Sequence, residues 1–304
     1  MKEKLLIIGS TGFIGNNALH FFRNKGYDVY CADIVIKQEE NYTILNPENI
    51  DFTNLFLQHK FDVCINATGA ASVPLSFQYP AIDYLLNVSN VYNMLDAIRK
   101  NCPECKFINF SSAAVYGNPI SLPIYENSAI NPLSPYGYHK YYSENICKEF
   151  FEMFNIQTVS LRVFSVYGEG LKKQLFWDIY KKIRNTENNQ ITLFGTGRES
   201  RDFIYISDLM TAIELVLTKK ELKGNVINIS SGIESTIKDA VEIFVNSYSP
   251  GISVKYNNQV KVGDPLNWRA DISVLESLGF KSTFSLHEGL ENYSQRLKSL
   301  FYND

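Results

Sequence analysis

The chain opens on an uncharged apolar run, Leu5-Leu6-Ile7-Ile8, that halts at Gly9. A run that is apolar at every position, not at alternate ones, reads as a parallel strand buried on both faces. From Asn16 to Lys25 the period changes, and Ala18, Leu19, Phe21 and Phe22 recur at helical spacing. Strand-like runs return at residues 28–32, 42–45, 61–66, 106–110 and 157–163. Between them lie helical stretches. One opens at Asp51-Phe52, and a long one covers residues 80–100 with Ile82, Leu85, Leu86, Val91, Met94, Leu95 and Ile98 on one side. Pro103 follows its end. After a polar, proline-containing connection, Ser134 reads as an N-cap and Pro135 as the first residue of another helix. Strand and helix in turn predict an α/β fold built on a doubly wound parallel sheet. Beyond Val166 the segments are shorter and mixed, which predicts a smaller C-terminal α/β lobe. The expected division is residues 1–165 and 166–304, with some later segments returning to the first unit.

The junction of the first strand and first helix carries Gly9, Gly12 and Gly15 at three-residue spacing. Such a turn aims backbone N–H groups and the positive end of a helix dipole at one point, and glycine lets a diphosphate approach. Thr11, Phe13 and Ile14 belong to the same loop. The second strand ends in Asp33, placed to hydrogen-bond the ribose hydroxyls of an adenosine and to repel a 2′-phosphate. The expected cofactor is therefore NAD. The fourth strand ends in Ala67-Thr68-Gly69, small enough for a flat cofactor to pass.

Composition narrows the class. The chain has 304 residues, 45% hydrophobic and 20% charged, as in an ordinary globular enzyme. A formal net charge of −3 gives no footprint for nucleic acid, so local cations must hold any anionic substrate. The N-terminus leads into a core strand without a secretory segment, and no apolar stretch has membrane-spanning length. The five cysteines, an odd number and mostly in apolar runs, suit the reduced cytoplasm. Cys102 and Cys105 form a lone C-x-x-C without two further ligands at suitable spacing, and no metal site is expected.

Tyr136 and Lys140 stand one turn apart on one helical face. A tyrosine with a reference pKa near ~10 needs about 4 kcal/mol of help to act as a base at neutral pH. An ammonium at about 4 Å offers on the order of 4 kcal/mol at an effective dielectric of ~20, and a nicotinamide cation adds to it. Tyr136 is thus a candidate for taking a proton from a substrate hydroxyl, with Lys140 lowering its pKa and holding the nicotinamide ribose. Ser112 lies at the carboxyl end of a predicted parallel strand, where ligands of open α/β sheets bind, and can hydrogen-bond the reacting oxygen.

Together these residues resemble the extended short-chain dehydrogenase/reductases, whose best-known members are nucleotide-sugar epimerases and dehydratases. The resemblance rests on Gly9-x-x-Gly12-x-x-Gly15, Asp33, Asp51-Phe52, Ser111-Ser112 with Val115-Tyr116-Gly117, and Tyr136-x-x-x-Lys140. It continues through Ser72-Val73-Pro74, Asn87-Val88, Leu161-Arg162, Tyr167-Gly168, Arg201-Asp202-Phe203 and Gly263-Asp264, so it covers nearly the whole chain. It implies an NAD-binding Rossmann domain and a C-terminal lobe that grips a nucleoside diphosphate sugar. It implies Ser112, Tyr136 and Lys140 as catalytic residues, Asp51 and Phe52 near the adenine, Asn87 and the Ala67–Gly69 turn at the cofactor, and Arg201 on the diphosphate. It also implies Ser72, Ser165, Lys261 and Trp268 on the substrate, and a homodimer formed through the long helices near Leu86 and Tyr142. Ser165 stands where an asparagine is usual, and Lys261 where an arginine is common. Trp268 falls at a position that shapes the sugar pocket, and its bulk suggests a compact sugar.

Where the sugar-nucleotide dehydratases follow Ser/Thr with Asp-Glu, this chain has Ala113-Ala114. Eliminating water needs an acid and a base, and neither methyl serves. The expected activity is a nucleotide-sugar 4-epimerase working through a transient 4-keto sugar. The alternative is a net oxidoreductase on the same class, a 4-ketoreductase or a C4 dehydrogenase in modified-sugar biosynthesis.

Overall fold

The computed structural model describes residues 2–259 and 263–301. In chain order the elements are β1 (Lys4–Ile8), α1 (Phe13–Asn24), β2 (Asp28–Asp33), β3 (Tyr42–Ile44), α2 (Thr53–Gln58), β4 (Val63–Asn66), α3 (Val73–Gln78), α4 (Pro80–Tyr84), a π turn (Leu85–Ser89) and α5 (Asn90–Asn101). There follow β5 (Lys106–Ser112), a 3₁₀ turn (Ala113–Val115), α6 (Pro135–Phe154), β6 (Thr158–Val163), β7 (Ser165–Tyr167), α7 (Gln174–Arg184) and β8 (Gln190–Leu193). The chain closes with β9 (Ser200–Tyr205), α8 (Ile206–Lys219), β10 (Asn225–Ile229), β11 (Glu234–Thr236), α9 (Ile237–Tyr248), β12 (Ser253–Tyr256), α10 (Ser273–Ser277) and α11 (Leu286–Phe301).

A seven-stranded sheet runs in the order β3-β2-β1-β4-β5-β6-β10, and every pairing in it is parallel. The uninterrupted apolar run of β1 is explained by cover on both faces. On one side Leu5, Ile7, Ile65 and Ile108 meet α1 and α8 through Phe22, Leu209 and Ile213. On the other side Leu6, Ile8, Cys64 and Phe107 meet α2, α5 and α6 through Phe56, Met94, Leu95 and Phe150. Two small sheets, β11-β9-β7 and β12-β8, build the second lobe around Phe176, Phe203, Phe244 and Tyr293. The chain reverses direction across the sheet between β1 and β4, and ligands of such sheets bind outside the carboxyl ends of the strands at that switch.

One element differs from the sequence-based expectation. The helix over residues 80–100 is broken at Leu85–Ser89, where a π turn inserts an extra residue and turns Asn87 inward. Such single turns mark places where a side chain is re-aimed. β10 and α8 lie beyond residue 166, yet β10 pairs with β6 at the sheet edge and α8 packs in the layer of α1. The segment Val226-Ile227-Asn228-Ile229 is short and interrupted by a polar residue, and periodicity alone does not assign it to a sheet.

Candidate active site

The glycine loop closes tightly on the sheet. Gly9 has φ +86°, and a Cβ there would lie 2.7 Å from the Ala67 carbonyl. A Cβ on Gly15 would lie 2.1 Å from the Gly9 carbonyl oxygen, so α1 rests directly on the turn. Gly12 differs, since its Cβ would meet the Gly9 carbonyl oxygen at an ordinary 3.4 Å. Among the described residues no side chain caps α1, and its first turn carries no acid. Its N–H groups and dipole are left for an anion. Phe13 and Ile14 are half-buried against the core and hold the helix start in place. This arrangement fits the diphosphate of a dinucleotide.

Asp33 is buried at the mouth of the loop. Its Oδ2 accepts from the Thr11 backbone N–H and the Thr11 hydroxyl, both at 2.8 Å, and its Oδ1 from the N–H of Ile34 at 2.8 Å. The carboxylate thus braces the loop, and a ribose hydroxyl there would compete with the Thr11 hydroxyl. Asp51 is exposed and turned onto its own helix, accepting from Thr53 N at 2.9 Å and Asn54 Nδ2 at 2.7 Å. Phe52 is buried beneath it with Phe56 and Leu95. Thr68 is fixed by Asn66, whose Oδ1 accepts from the Thr68 hydroxyl at 2.6 Å. Gly69 has φ +108°, and a Cβ there would sit 2.5 Å from Asn87 Oδ1 and 3.3 Å from Lys140 Nζ. The end of β4, the π turn and α6 therefore converge on one point. Asn87 Oδ1 is buried with no partner among the described residues, an acceptor open to a ligand.

Ser112, Tyr136 and Lys140 come together at the carboxyl end of β5. The start of α6 is set by Ser134, whose Oγ accepts from Gly137 N at 3.2 Å, with Pro135 in its first turn. Deeper in the helix Glu144 forms a buried fork with Arg162 of β6 at 2.9 and 2.7 Å, locking α6 onto the sheet. Tyr136 and Lys140 are only 9% and 6% exposed. Ser112 lies within hydrogen-bonding reach of the Tyr136 phenol, and Lys140 Nζ lies 5.8 Å from its ring centroid. Lys140 donates to the Phe110 carbonyl at 2.8 Å.

The acidity expected of Tyr136 does not arise in the protein alone. Burial pushes its pKa up to about 12; the Ser112 hydrogen bond opposes this, and the charge of Asp83 adds to it. Burial also pulls Lys140 down to about 8. The ammonium is aimed at a backbone carbonyl instead of the phenol, so desolvation outweighs its field.

A cleft of about 780 Å³ opens between this corner and the second lobe, within the size range of ligand sites. Ser72, Ser112, Tyr136, Ser165, Arg201 and Trp268 all line it. Lys261 lies outside the described residues. Arg201 stacks at 5.4 Å over the Trp268 ring and donates to the carbonyls of Ser200 and Leu266 at 2.7 and 3.1 Å. The Trp268 indole N–H is tied to the Gly117 carbonyl at 2.9 Å, so the ring props the guanidinium as well as walling the pocket. Ser72 caps α3, and Ala114 presents its methyl to the cleft.

Sequence reasoning missed two features. Lys172 and Lys173 line the cleft at the start of α7, and crowding by the cleft walls draws the Lys173 pKa down. Two adjacent lysines before an amphipathic helix are the only signal in the sequence. Asp83 and His139 form a buried pair beside Lys140.

Comparisons with known proteins agree with this geometry. The profile of the NAD dependent epimerase/dehydratase family matches residues 5–230. A protein of Methanocaldococcus jannaschii described as a putative UDP-glucose 4-epimerase is 29% identical, over 97% of this chain and 98% of that protein. The structure of UDP-N-acetylglucosamine 4-epimerase from Methanobrevibacter ruminantium M1 superimposes with a TM-score of 0.86 at 27% identity, covering 99% of this chain and 100% of that one. UDP-glucuronic acid 4-epimerase from Bacillus cereus, in complex with UDP-glucuronic acid and NAD, gives 0.86 at 28% identity, covering 98% and 100%. With most of its length inside that profile, this chain belongs to the NAD dependent epimerase/dehydratase family.

Proposed function

We propose that the protein is an NAD-dependent nucleotide-sugar 4-epimerase. The observation that carries this reading is the meeting of Ser112, Tyr136 and Lys140 at the wall of a cleft that Arg201 also enters. Arg201, propped on Trp268, holds the substrate diphosphate; guanidinium geometry suits phosphate oxygens. Ser112 hydrogen-bonds the C4 oxygen. Tyr136 takes the C4 hydroxyl proton as the alcohol becomes a ketone, and returns it when the carbonyl is reduced from its other face. Gly9, Gly12, Gly15 and the start of α1 hold the cofactor diphosphate, Asp33 its adenosine ribose, and Lys140 its nicotinamide ribose. NAD, when bound, supplies the hydride acceptor at C4 and the positive charge that Tyr136 needs. Ala113 and Ala114 leave Ser112 without a neighbouring acid, which supports epimerisation over loss of water.

A second reading, a 4-ketoreductase, draws support from the Tyr136 phenol, which burial keeps protonated and so ready to donate. The test is to incubate the pure protein with UDP-, GDP-, CDP- and dTDP-sugars and follow them by NMR. Interconversion of C4 isomers without net absorbance change at 340 nm supports the epimerase. Stoichiometric consumption of NADH moves the assignment to the reductase, and no turnover of any nucleotide sugar overturns both.

Residues 1–165 and 166–304 serve in this reading as the cofactor and substrate lobes, with α8 and β10 lent back to the first. A homodimer is supported by the exposed apolar side chains of Ile82, Tyr84, Leu85, Tyr138 and Tyr142 on α4, the π turn and α6. Five thiols, none of them paired, suit the cytoplasm.

A further inference from the structure

His139 lies between Tyr136 and Lys140 in sequence, on the turn of α6 that carries both. Its Nδ1 is 2.6 Å from Asp83 Oδ2, and both residues are buried. Asp83 sits on α4, one turn before Asn87, whose Nδ2 donates to the Asp83 carbonyl at 3.1 Å. The other carboxylate oxygen, Asp83 Oδ1, has no partner among the described residues. A buried carboxylate with one unsatisfied oxygen is costly, and its charge is felt strongly by its neighbours. Tyr84 and Tyr142 pack their rings on the imidazole at 5.3 and 6.2 Å and screen it from water. The sugar chemistry proposed above assigns this pair no role.

We propose that Asp83 and His139 are a positioning pair whose shared charge sets the protonation of Tyr136 and Lys140. The inference rests on the reading of Tyr136 as the acid–base residue. When the imidazole is neutral the pair carries −1; when it is protonated the pair is neutral. A negative pair favours the ammonium of Lys140 and disfavours the phenolate of Tyr136, and a neutral pair does neither. The charge of Asp83 acts on both groups, favouring the ammonium of Lys140 and opposing ionisation of Tyr136. The other groups facing Lys140 are the Phe110 carbonyl from β5, Asn87 from the π turn, Lys173 from the start of α7, and Glu144 and Cys147 on α6 itself. Ser112 faces Tyr136. Lys173 opposes Asp83, Glu144 is already held by Arg162, and the Cys147 thiol stays protonated because burial pushes it up to about 12. His139 is therefore the group placed to switch the net charge near the reacting hydroxyl.

The test uses the NAD-loaded full chain and its D83N, H139Q and doubly substituted forms. Two quantities are read against pH. One is turnover of the UDP-sugar identified by NMR. The other is ionisation of Tyr136 by absorbance near 295 nm, taken as the difference from the same protein carrying Y136F. Gln at 139 can still donate to Asp83, so the carboxylate keeps its charge while the switching proton is lost. D83N should slide both profiles toward acid by about 1 pH unit, and H139Q should slide them toward alkali. On the D83N background H139Q should add little, because its effect runs through Asp83. A purely structural role would lower the unfolding midpoint and the rate without opposite displacements of the profile. Profiles that coincide with the parent, or that move the same way in both variants, overturn the proposal. If Y136F itself turns over substrate, the acid–base assignment fails instead, and the two failures are told apart.

Discussion

The carbonyl oxygen of Gly9 lies where a Cβ on Gly15 would reach within 2.1 Å, while a Cβ on Gly12 would stay 3.4 Å from that same oxygen. The two glycines therefore have different reasons to lack a side chain. Gly15 lets α1 rest on the turn, and Gly12 keeps the approach to the helix N-terminus clear. Gly15→Ala should displace α1 and yield protein that is insoluble or melts far below the parent. Gly12→Ala should fold with an unchanged midpoint yet bind NAD at least tenfold more weakly. Thermal melts paired with NAD titration separate the two.

Asp33 is expected to set cofactor choice and to brace the loop. Three short hydrogen bonds from Thr11 and Ile34 converge on it. Bonds to a charged acceptor are worth about 1.5–3 kcal/mol each, although the exposed part of the loop recovers some of this from water. Asp33→Ser should weaken NAD binding by ten- to a hundredfold, and NADP by less, because the repulsion of its 2′-phosphate is lost. Competitive binding of the two dinucleotides measures the ratio. A ratio unchanged from the parent would remove Asp33 from cofactor choice.

Burying Lys140 costs stability in the free protein. Burial pulls its pKa down to about 8, below the ordinary lysine value of 10.5. The unfolded chain binds the proton more tightly, so the penalty is fully present below pH 8 and fades as pH rises toward 10.5. The gap corresponds to about 3 kcal/mol, of which the bond to the Phe110 carbonyl offsets about 1. Lys140→Met should abolish turnover and raise stability at pH 7 by about 2 kcal/mol, and the gain should shrink steadily between pH 8 and 10.5. Urea melts across that range provide the check. A loss of stability on substitution would show that Lys140 is better solvated than its burial implies.

Much of this was legible in the sequence because two periods alternate cleanly there. β1 and β4 are apolar at nearly every position, β5 and β6 keep enough apolar residues to read as strands although Asn109, Ser160 and Arg162 are buried among them, and Ser134-Pro135 marks the start of α6 within one residue. The residues expected on the substrate line one cleft where the structure describes them. What escaped depends on distance in three dimensions. The π turn at Asn87 is set by packing near Gly69 and Lys140, not by any local breaker. The Asp83–His139 contact joins residues 56 positions apart. The burial that raises the Tyr136 pKa is of the same kind, because spacing reveals a neighbouring charge but not the depth of burial that opposes it.

Arg201 and Trp268 should act as one unit on the substrate. The guanidinium reaches its place by donating to two backbone carbonyls and lying over the indole, whose own N–H is anchored to Gly117. A lysine at 201 has a point charge without the fork and cannot satisfy both carbonyls and a diphosphate together. Arg201→Lys should raise KM for the nucleotide sugar by at least tenfold while leaving NAD affinity unchanged. Trp268→Phe keeps a ring under the cation but gives up the Gly117 anchor, so its effect on KM should be smaller. Trp268→Ala removes both the stacking and the anchor and should approach the arginine variant. The double variant Arg201→Lys/Trp268→Ala should then cost less than the sum of the two, since a lysine gains little from the ring. Steady-state kinetics on the four proteins test this directly. Additive losses would mean that Trp268 shapes the sugar pocket independently of the arginine it supports.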